Sequence, residues 1–96
     1  MSDRKVYIDK MATQLKEWDN KIEQLEMKAK EAKASNKADI QHALDNIREK
    51  RDNVRQDLNK LRESGEAAWN ELKFGLEKSG NMLADSIKLA MAKLKT

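Results

Sequence analysis

Apolar residues recur along the first third of the chain at alternating steps of three and four positions. The row begins with Ile8, Met11, Leu15, Trp18, Ile22 and Leu25. This spacing places the side chains on one side of an α-helix, in the heptad pattern of helices that pack against each other. It predicts a first helix over residues 3–34.

A second seam of the same kind follows a short polar stretch. It runs to Leu61, and Arg51 takes one of its inward positions. Between the seams, Asn36 is a good helix N-cap, and Asp39 favours the positive end of a helix that begins there. We therefore predict a turn at residues 35–38 and an antiparallel helical hairpin.

Charges beside the two seams favour the antiparallel arrangement. The flanking positions carry Asp19 and Glu26 in the first seam, and Arg48, Arg55 and Arg62 in the second. These flanks face each other in an antiparallel pair. We expect the charges to select the orientation more than they stabilise it, because exposed ion pairs contribute only ~0–1 kcal/mol each.

The predicted hairpin seam draws side chains from both helices. Arg51 would share a layer with Trp18, where its guanidinium either stacks on the indole or extends along the seam into solvent. The seam residues are Leu15, Trp18, Ile22, Leu25, Leu44, Ile47, Arg51, Val54 and Leu58.

Leucines recur at intervals of eleven residues in the second half of the chain, at Leu61, Leu72, Leu83 and Leu94. Eleven residues make three turns at about 3.67 residues per turn, so this row forms one stripe along a nearly straight helix. The stripe keeps its phase across Gly65, and a lone glycine inside a helix costs only ~1 kcal/mol. These observations favour one long second helix over residues 39–94.

The alternative is a second turn at Ser64 and Gly65. Glycine often follows the end of a helix, and serine often caps the start of the next one. Such a turn would produce a three-helix up-down-up bundle instead of a hairpin. The fold class is all-α in both cases.

A long second helix would leave the apolar stripe of its C-terminal half without a partner in the same chain. Large exposed apolar surfaces are rare in monomeric proteins, so the stripe predicts a homo-oligomer, most simply an antiparallel two-fold dimer that forms a helical bundle. The residues expected to make this contact are Trp69, Leu72, Leu76, Leu83, Ile87, Met91 and Leu94.

The composition agrees with one helical domain over residues 1–96. Charged residues make up 39% and hydrophobic residues 39%, and proline is absent, as is typical of long helices and coiled coils. The chain has no cysteine, which excludes disulfides and thiolate metal sites. No apolar run approaches the ~20 residues of a membrane span, and the amphipathic start is unlike a signal peptide, so we expect a cytoplasmic protein.

Candidate catalytic chemistry is sparse. The only histidine, His42, follows Asp39 by three residues, a spacing that metal ligands on helices use. The inward positions that would have to supply further ligands are apolar, and no phosphate-binding glycine loop or nucleophile motif occurs. We therefore expect no enzymatic activity, no metal and no other cofactor, and we interpret His42 as a solvated surface residue.

Nucleic acid and membrane surfaces are the other partner classes to weigh. The net charge is only +3 and acidic residues interleave with the basic clusters, which makes nucleic acid a poor partner. A membrane surface is the stronger alternative, because Phe74 and Met82 widen the apolar side of residues 66–95, and eleven-residue amphipathic repeats also occur in helices that lie on lipid. The mixed charge of the polar face favours packing against another helix.

Four segments carry a resemblance: residues 4–10 (RKVYIDK), 14–19 (QLKEWD), 65–73 (GEAAWNELK) and 75–77 (GLE). In these segments the chain resembles a group of short bacterial coiled-coil proteins, some labelled as stress-response proteins, whose activity is not established. The resemblance implies a helical protein without known catalysis and supplies no functional residues. We expect a non-enzymatic structural or protein-interaction protein, with a reversible membrane-surface or protective amphipathic helix as the alternative.

Overall fold

Three α-helices make up most of the described part of the chain. The computed structural model describes residues 3–32 and 34–95, and within these ranges all side chains except those of residues 34–36 and 95. The helices are α1 (Asp3–Lys30), α2 (Ala34–Glu63) and α3 (Glu66–Lys95). They pack side by side into a rod of 51 × 18 × 16 Å, which confirms the prediction of an all-α helical bundle.

The contacts between α1 and α2 show that these helices are antiparallel. Asp19 of α1 pairs with Arg55 of α2, whereas Glu26, which lies later in α1, pairs with Arg48, which lies earlier in α2. The opposite charges on the flanks of the two seams thus meet as the sequence predicts. Each pair contributes little to stability because it is partly solvated, but the wrong orientation would lose both pairs.

Contacts made by α3 complete an up-down-up arrangement. Ser79 of α3 donates a hydrogen bond to Asp57 of α2, and Lys50, which is earlier in α2, donates one to Ser86, which is later in α3. These two helices are therefore antiparallel. By contrast, α3 runs parallel to α1, since Tyr7 and Trp18 contact residues near the start and the middle of α3 respectively.

The first turn lies earlier than the sequence predicts. Helix α1 ends at Lys30 and α2 begins at Ala34, so residues 35–38 belong to the first turn of α2 and not to a loop. The end of α1 is tightened by backbone hydrogen bonds from Glu31 to Lys28 and from Ala32 to Ala29. Asn36, the predicted N-cap, therefore lies within α2 and is not its N-cap, because an N-cap precedes the first helical residue.

The second turn corrects the prediction of a long second helix over residues 39–94. Regular helix stops at Glu63 and resumes at Glu66, which leaves a two-residue connection at Ser64 and Gly65. The Ser64 hydroxyl donates a 2.8 Å hydrogen bond to the Leu61 carbonyl oxygen and so satisfies one end of the interrupted helix. The three-helix bundle, which was the alternative arrangement, is the one observed.

Burial of apolar side chains accounts for this break. Interrupting a helix loses a few backbone hydrogen bonds at about 0.5–1.5 kcal/mol each. Folding α3 back buries Leu76, Leu83 and Ile87 to 3% exposure or less, and each large side chain contributes roughly 1.5–3 kcal/mol when it is fully buried. The burial outweighs the lost hydrogen bonds.

The core runs along the centre of all three helices, and the buried side chains of the described residues are apolar. Helix α1 supplies Leu15, Trp18, Ile22, Leu25 and Ala29; α2 supplies Ile40, Leu44, Ile47, Val54, Leu58 and Leu61; α3 supplies Leu76, Leu83, Ile87 and Ala90. None of the described helices is long and apolar enough to cross a membrane.

Two glycines inside α3 have different surroundings. A methyl group at Gly80 would lie 3.0 Å from Cη2 of Trp18, so this glycine gives the indole room to pack against α3. A methyl group at Gly75 would have no heavy atom within 4 Å. Gly80 is therefore in close contact with the Trp18 ring, whereas Gly75 only lowers the helix propensity of α3.

We expect Gly75→Ala to raise the free energy of unfolding by about 0.5–1 kcal/mol, because alanine is the better helix former and nothing obstructs it. Gly80→Ala should lower the free energy of unfolding by roughly 1 kcal/mol, because displacing the Trp18 ring destabilises the fold more than the better helix propensity of alanine stabilises it. Urea unfolding followed by circular dichroism measures both changes. Equal stabilisation by the two variants would contradict the packing of Trp18 on Gly80.

Candidate functional site

A cluster of aromatic and charged side chains joins the start of α1 to the start of α3. The rings of Tyr7 and Trp69 meet edge to face, with centroids 5.9 Å apart and planes at 77°. The Arg4 guanidinium lies 4.8 Å from the centre of the Trp69 ring, and the Lys73 ammonium lies 4.8 Å from the centre of the Tyr7 ring. Such contacts contribute about 0.5–1.5 kcal/mol for the aromatic pair and about 0.5–1 kcal/mol for each exposed cation.

The same cluster also contacts the turn between α2 and α3. Arg4 donates a hydrogen bond to the backbone carbonyl oxygen of Ser64. That carbonyl lies just beyond the C-terminal end of α2, where a cation is favoured by the helix dipole. The first turn of α1 thereby contacts the connection between α2 and α3, where the sequence pattern predicts a continuous helix.

Tyr7 is a titratable group whose surroundings shift its pKa. Burial raises the pKa of the Tyr7 hydroxyl to about 12, and the nearby negative charge of Glu77 and the hydrogen bond to its carboxylate act in the same direction. The phenol donates to Oε1 of Glu77 at 3.3 Å. A phenol that keeps its proton at neutral pH serves here as a hydrogen-bond donor between α1 and α3.

Arg51 lies at the edge of the hairpin seam. Its guanidinium is 3.7 Å from Asp19 and 3.3 Å from Asp52, and the indole of Trp18 packs on Gly80 instead. The Arg51 side chain therefore extends towards solvent and neighbouring carboxylates, which is the second of its two predicted arrangements. The other predicted seam residues are buried: Leu15, Trp18, Ile22, Leu25, Leu44, Ile47, Val54 and Leu58.

The residues predicted to form the self-association surface lie on the inner side of α3. Leu76, Leu83 and Ile87 are buried within the chain. The remaining members, Trp69, Leu72, Met91 and Leu94, are half-buried and pack against the same core. Because α1 and α2 cover this stripe, the need for a second chain to cover it disappears.

Exposed apolar residues lie instead on the outer side of α3. Phe74, Met82 and Leu89 expose 70%, 49% and 66% of their surfaces. At about 100° per residue they fall within an arc of roughly 80°, opposite the buried stripe. We call these three residues, with Lys78, Asn81 and Asp85 between them, the outer face of α3. The sequence analysis identifies Phe74 and Met82 as apolar residues outside the main stripe. It does not identify Leu89, because Leu89 is next in sequence to Ala90, which belongs to the buried apolar row.

The neighbourhood of His42 is an open groove between α2 and α3. His42 and Asp39 are both exposed and line this groove of about 300 Å³ with Asn46 and Ser86. No group of three or more histidine, cysteine or acidic residues that could hold a metal ion occurs among the residues that the structure describes.

Comparisons with protein-family models, with curated proteins and with solved structures found no match for this chain.

The Tyr7 environment predicts the pH dependence of stability. Because the folded state holds the phenolic proton more tightly than the unfolded chain does, this contribution is fully present below pH 10 and is lost as the pH rises from about 10 to about 12. Tyr7 is the only tyrosine, so absorbance at 295 nm reports its titration directly. Glu77→Gln should lower the pKa of Tyr7 towards 10 without reaching it, because burial, the largest cause, remains. An unchanged pKa in that variant would show that Glu77 does not act on Tyr7.

Proposed function

We propose that this chain is a non-enzymatic helical-bundle protein with a structural or protein-binding role, and that it binds through the outer face of α3. The observation that carries the proposal is the exposure of Phe74, Met82 and Leu89 on one side of a helix whose opposite side is buried. Exposed apolar side chains grouped on one face are typical of contact surfaces, whereas scattered ones are ordinary.

The rest of the molecule supports a binding role over catalysis. The buried side chains of the described residues are apolar, and the charged ones lie at the surface, where several form ion pairs between helices. Catalytic acids and bases depend on buried or strongly coupled titratable groups. Tyr7, whose pKa is raised, donates its hydroxyl proton in a hydrogen bond to Glu77 that joins α1 to α3.

Two parts of the proposal rest on the sequence alone. The first is a cytoplasmic location. A role in the stress response follows from the resemblance to short bacterial coiled-coil proteins. Both are proposed as the setting of the binding role.

Site-specific photo-crosslinking tests the binding face. A photoreactive residue in place of Leu89 should give an adduct with a protein in cells that express the chain, because this position lies on the outer face of α3. The matched control is the same residue in place of Met27, which is equally exposed, at 67% against 66%, but lies far along α1 from Val6, the other exposed large apolar residue of that helix. Equal adducts at the two positions, or none at Leu89, would contradict the proposal.

A reversible membrane-surface role is the second candidate, and the same exposed residues favour it. The two-residue connection at Ser64 and Gly65 could serve as a hinge about which α3 swings away, adding its inner apolar side to the outer one. Helicity is a poor readout, since the described chain is already almost entirely helical. Tryptophan emission is better, because Trp18 is buried against Gly80 only in the closed bundle.

We expect anionic vesicles to leave the tryptophan emission unchanged and the protein in the supernatant after sedimentation. The polar side of α3 carries both signs of charge, which gives little attraction to an anionic surface. Neutral vesicles serve as the control for non-specific adsorption. A shift in emission together with co-sedimentation, on anionic vesicles only, would favour the membrane role instead.

A further inference from the structure

The outer face of α3 is arranged symmetrically about the point between Asn81 and Met82. Phe74 lies as far before this point as Leu89 lies after it, and Lys78 lies as far before it as Asp85 lies after it. All of these side chains are exposed. Apolar residues therefore occupy the two outer positions, and opposite charges occupy the two inner ones.

This symmetry is what a helix needs in order to pair with a copy of itself. In an antiparallel pair with a two-fold axis at that point, each residue faces the symmetric position of the other copy. Phe74 would then face Leu89 of the second copy, and Lys78 would face Asp85. The two-fold axis repeats each contact, so one dimer contains both pairs twice.

We propose that the outer face of α3 is a self-recognition surface, which pairs antiparallel with the same face of a second copy of this chain. The proposal rests on the proposed function and names the partner of that face. The three-helix core stays closed in the pair, because the buried stripe of α3 takes no part in the contact.

Charge complementarity selects this occupant and this orientation. Among the described residues, the ion pairs between side chains do not involve Lys78 or Asp85, so both charges remain available. A parallel two-fold pairing would place Lys78 against Lys78 and Asp85 against Asp85, which is repulsive. A lipid surface would match only one sign of charge, whereas a second antiparallel copy matches both.

The size of the face sets the strength of the pairing. Phe74 and Leu89 are fifteen residues apart, or about 22 Å along a helix. A contact of this length and one helix wide falls below the area of permanent dimers, which places it among weak and reversible interfaces. We expect dissociation constants on the order of 10–100 µM.

Charge reversal tests the pairing in the full chain. Lys78→Asp should place carboxylates opposite each other, and Asp85→Lys should place ammonium groups opposite each other, twice per dimer in each case. Either single variant should weaken dimerisation by at least about tenfold, which is 1.4 kcal/mol, as measured by sedimentation velocity over a range of concentrations. The double variant Lys78→Asp/Asp85→Lys should restore the wild-type affinity, and a mixture of the two single variants should form heterodimers.

Lys16→Asp is the matched control for the change in net charge in Lys78→Asp, since Lys16 is exposed on α1, away from the outer face. It should dimerise like the wild type. Phe74→Gln should weaken the dimer while leaving the circular dichroism spectrum and the free energy of unfolding unchanged, since Phe74 is 70% exposed.

Several outcomes would overturn the pairing. These are a wild-type chain that stays monomeric at millimolar concentration, a double variant as weak as the single ones, or single variants that do not pair with each other. If the pairing fails but the photoreactive residue at Leu89 still labels another protein and the one at Met27 does not, the proposed binding role stands without self-recognition. If neither experiment gives a contact at the outer face, both proposals fail.

Discussion

Burial of the inner side of α3 against α1 and α2 is the interaction on which the rest of the structure depends. Leu76, Leu83 and Ile87 have almost no exposure within the chain, and a bare hairpin of α1 and α2 would leave them in water. A domain of this length has little apolar surface to spare, because small proteins bury a smaller fraction of their chain. The core therefore needs all three helices, and the break at Ser64 and Gly65 follows from that need.

The aromatic and cationic cluster fixes how α3 lies on α1. Arg4 and Tyr7 contact Trp69 at the N-terminal ends of the two helices. The Trp18 indole packs on Gly80 about eleven residues further along each helix. Two contacts separated by the same number of residues set both the parallel direction and the register. Apolar burial alone specifies neither, since it is non-directional.

The exposed apolar surface of the molecule is a consequence of this packing. Once the stripe of α3 is covered, the apolar residues that remain grouped at the surface are Phe74, Met82 and Leu89. Contact through them is compatible with a closed bundle, whereas contact through the leucine row would require the bundle to open. The surface available for recognition is thus a consequence of the fold, and it lies on the opposite side of the same helix.

The sequence by itself determined the helical class, the inward side of each helix, and the antiparallel sense of α1 and α2. These follow from a period near 3.6 residues and from opposite charges at Asp19 and Arg55, which are properties of the helices themselves. Only the tertiary structure decided that the leucine row is covered within the chain. The step from Leu61 to Leu72 keeps its phase with or without a break at Gly65, so periodicity cannot distinguish one long helix from two packed ones. That choice depends on the free energy of burying α3 on α1 and α2, a long-range quantity that local spacing does not contain.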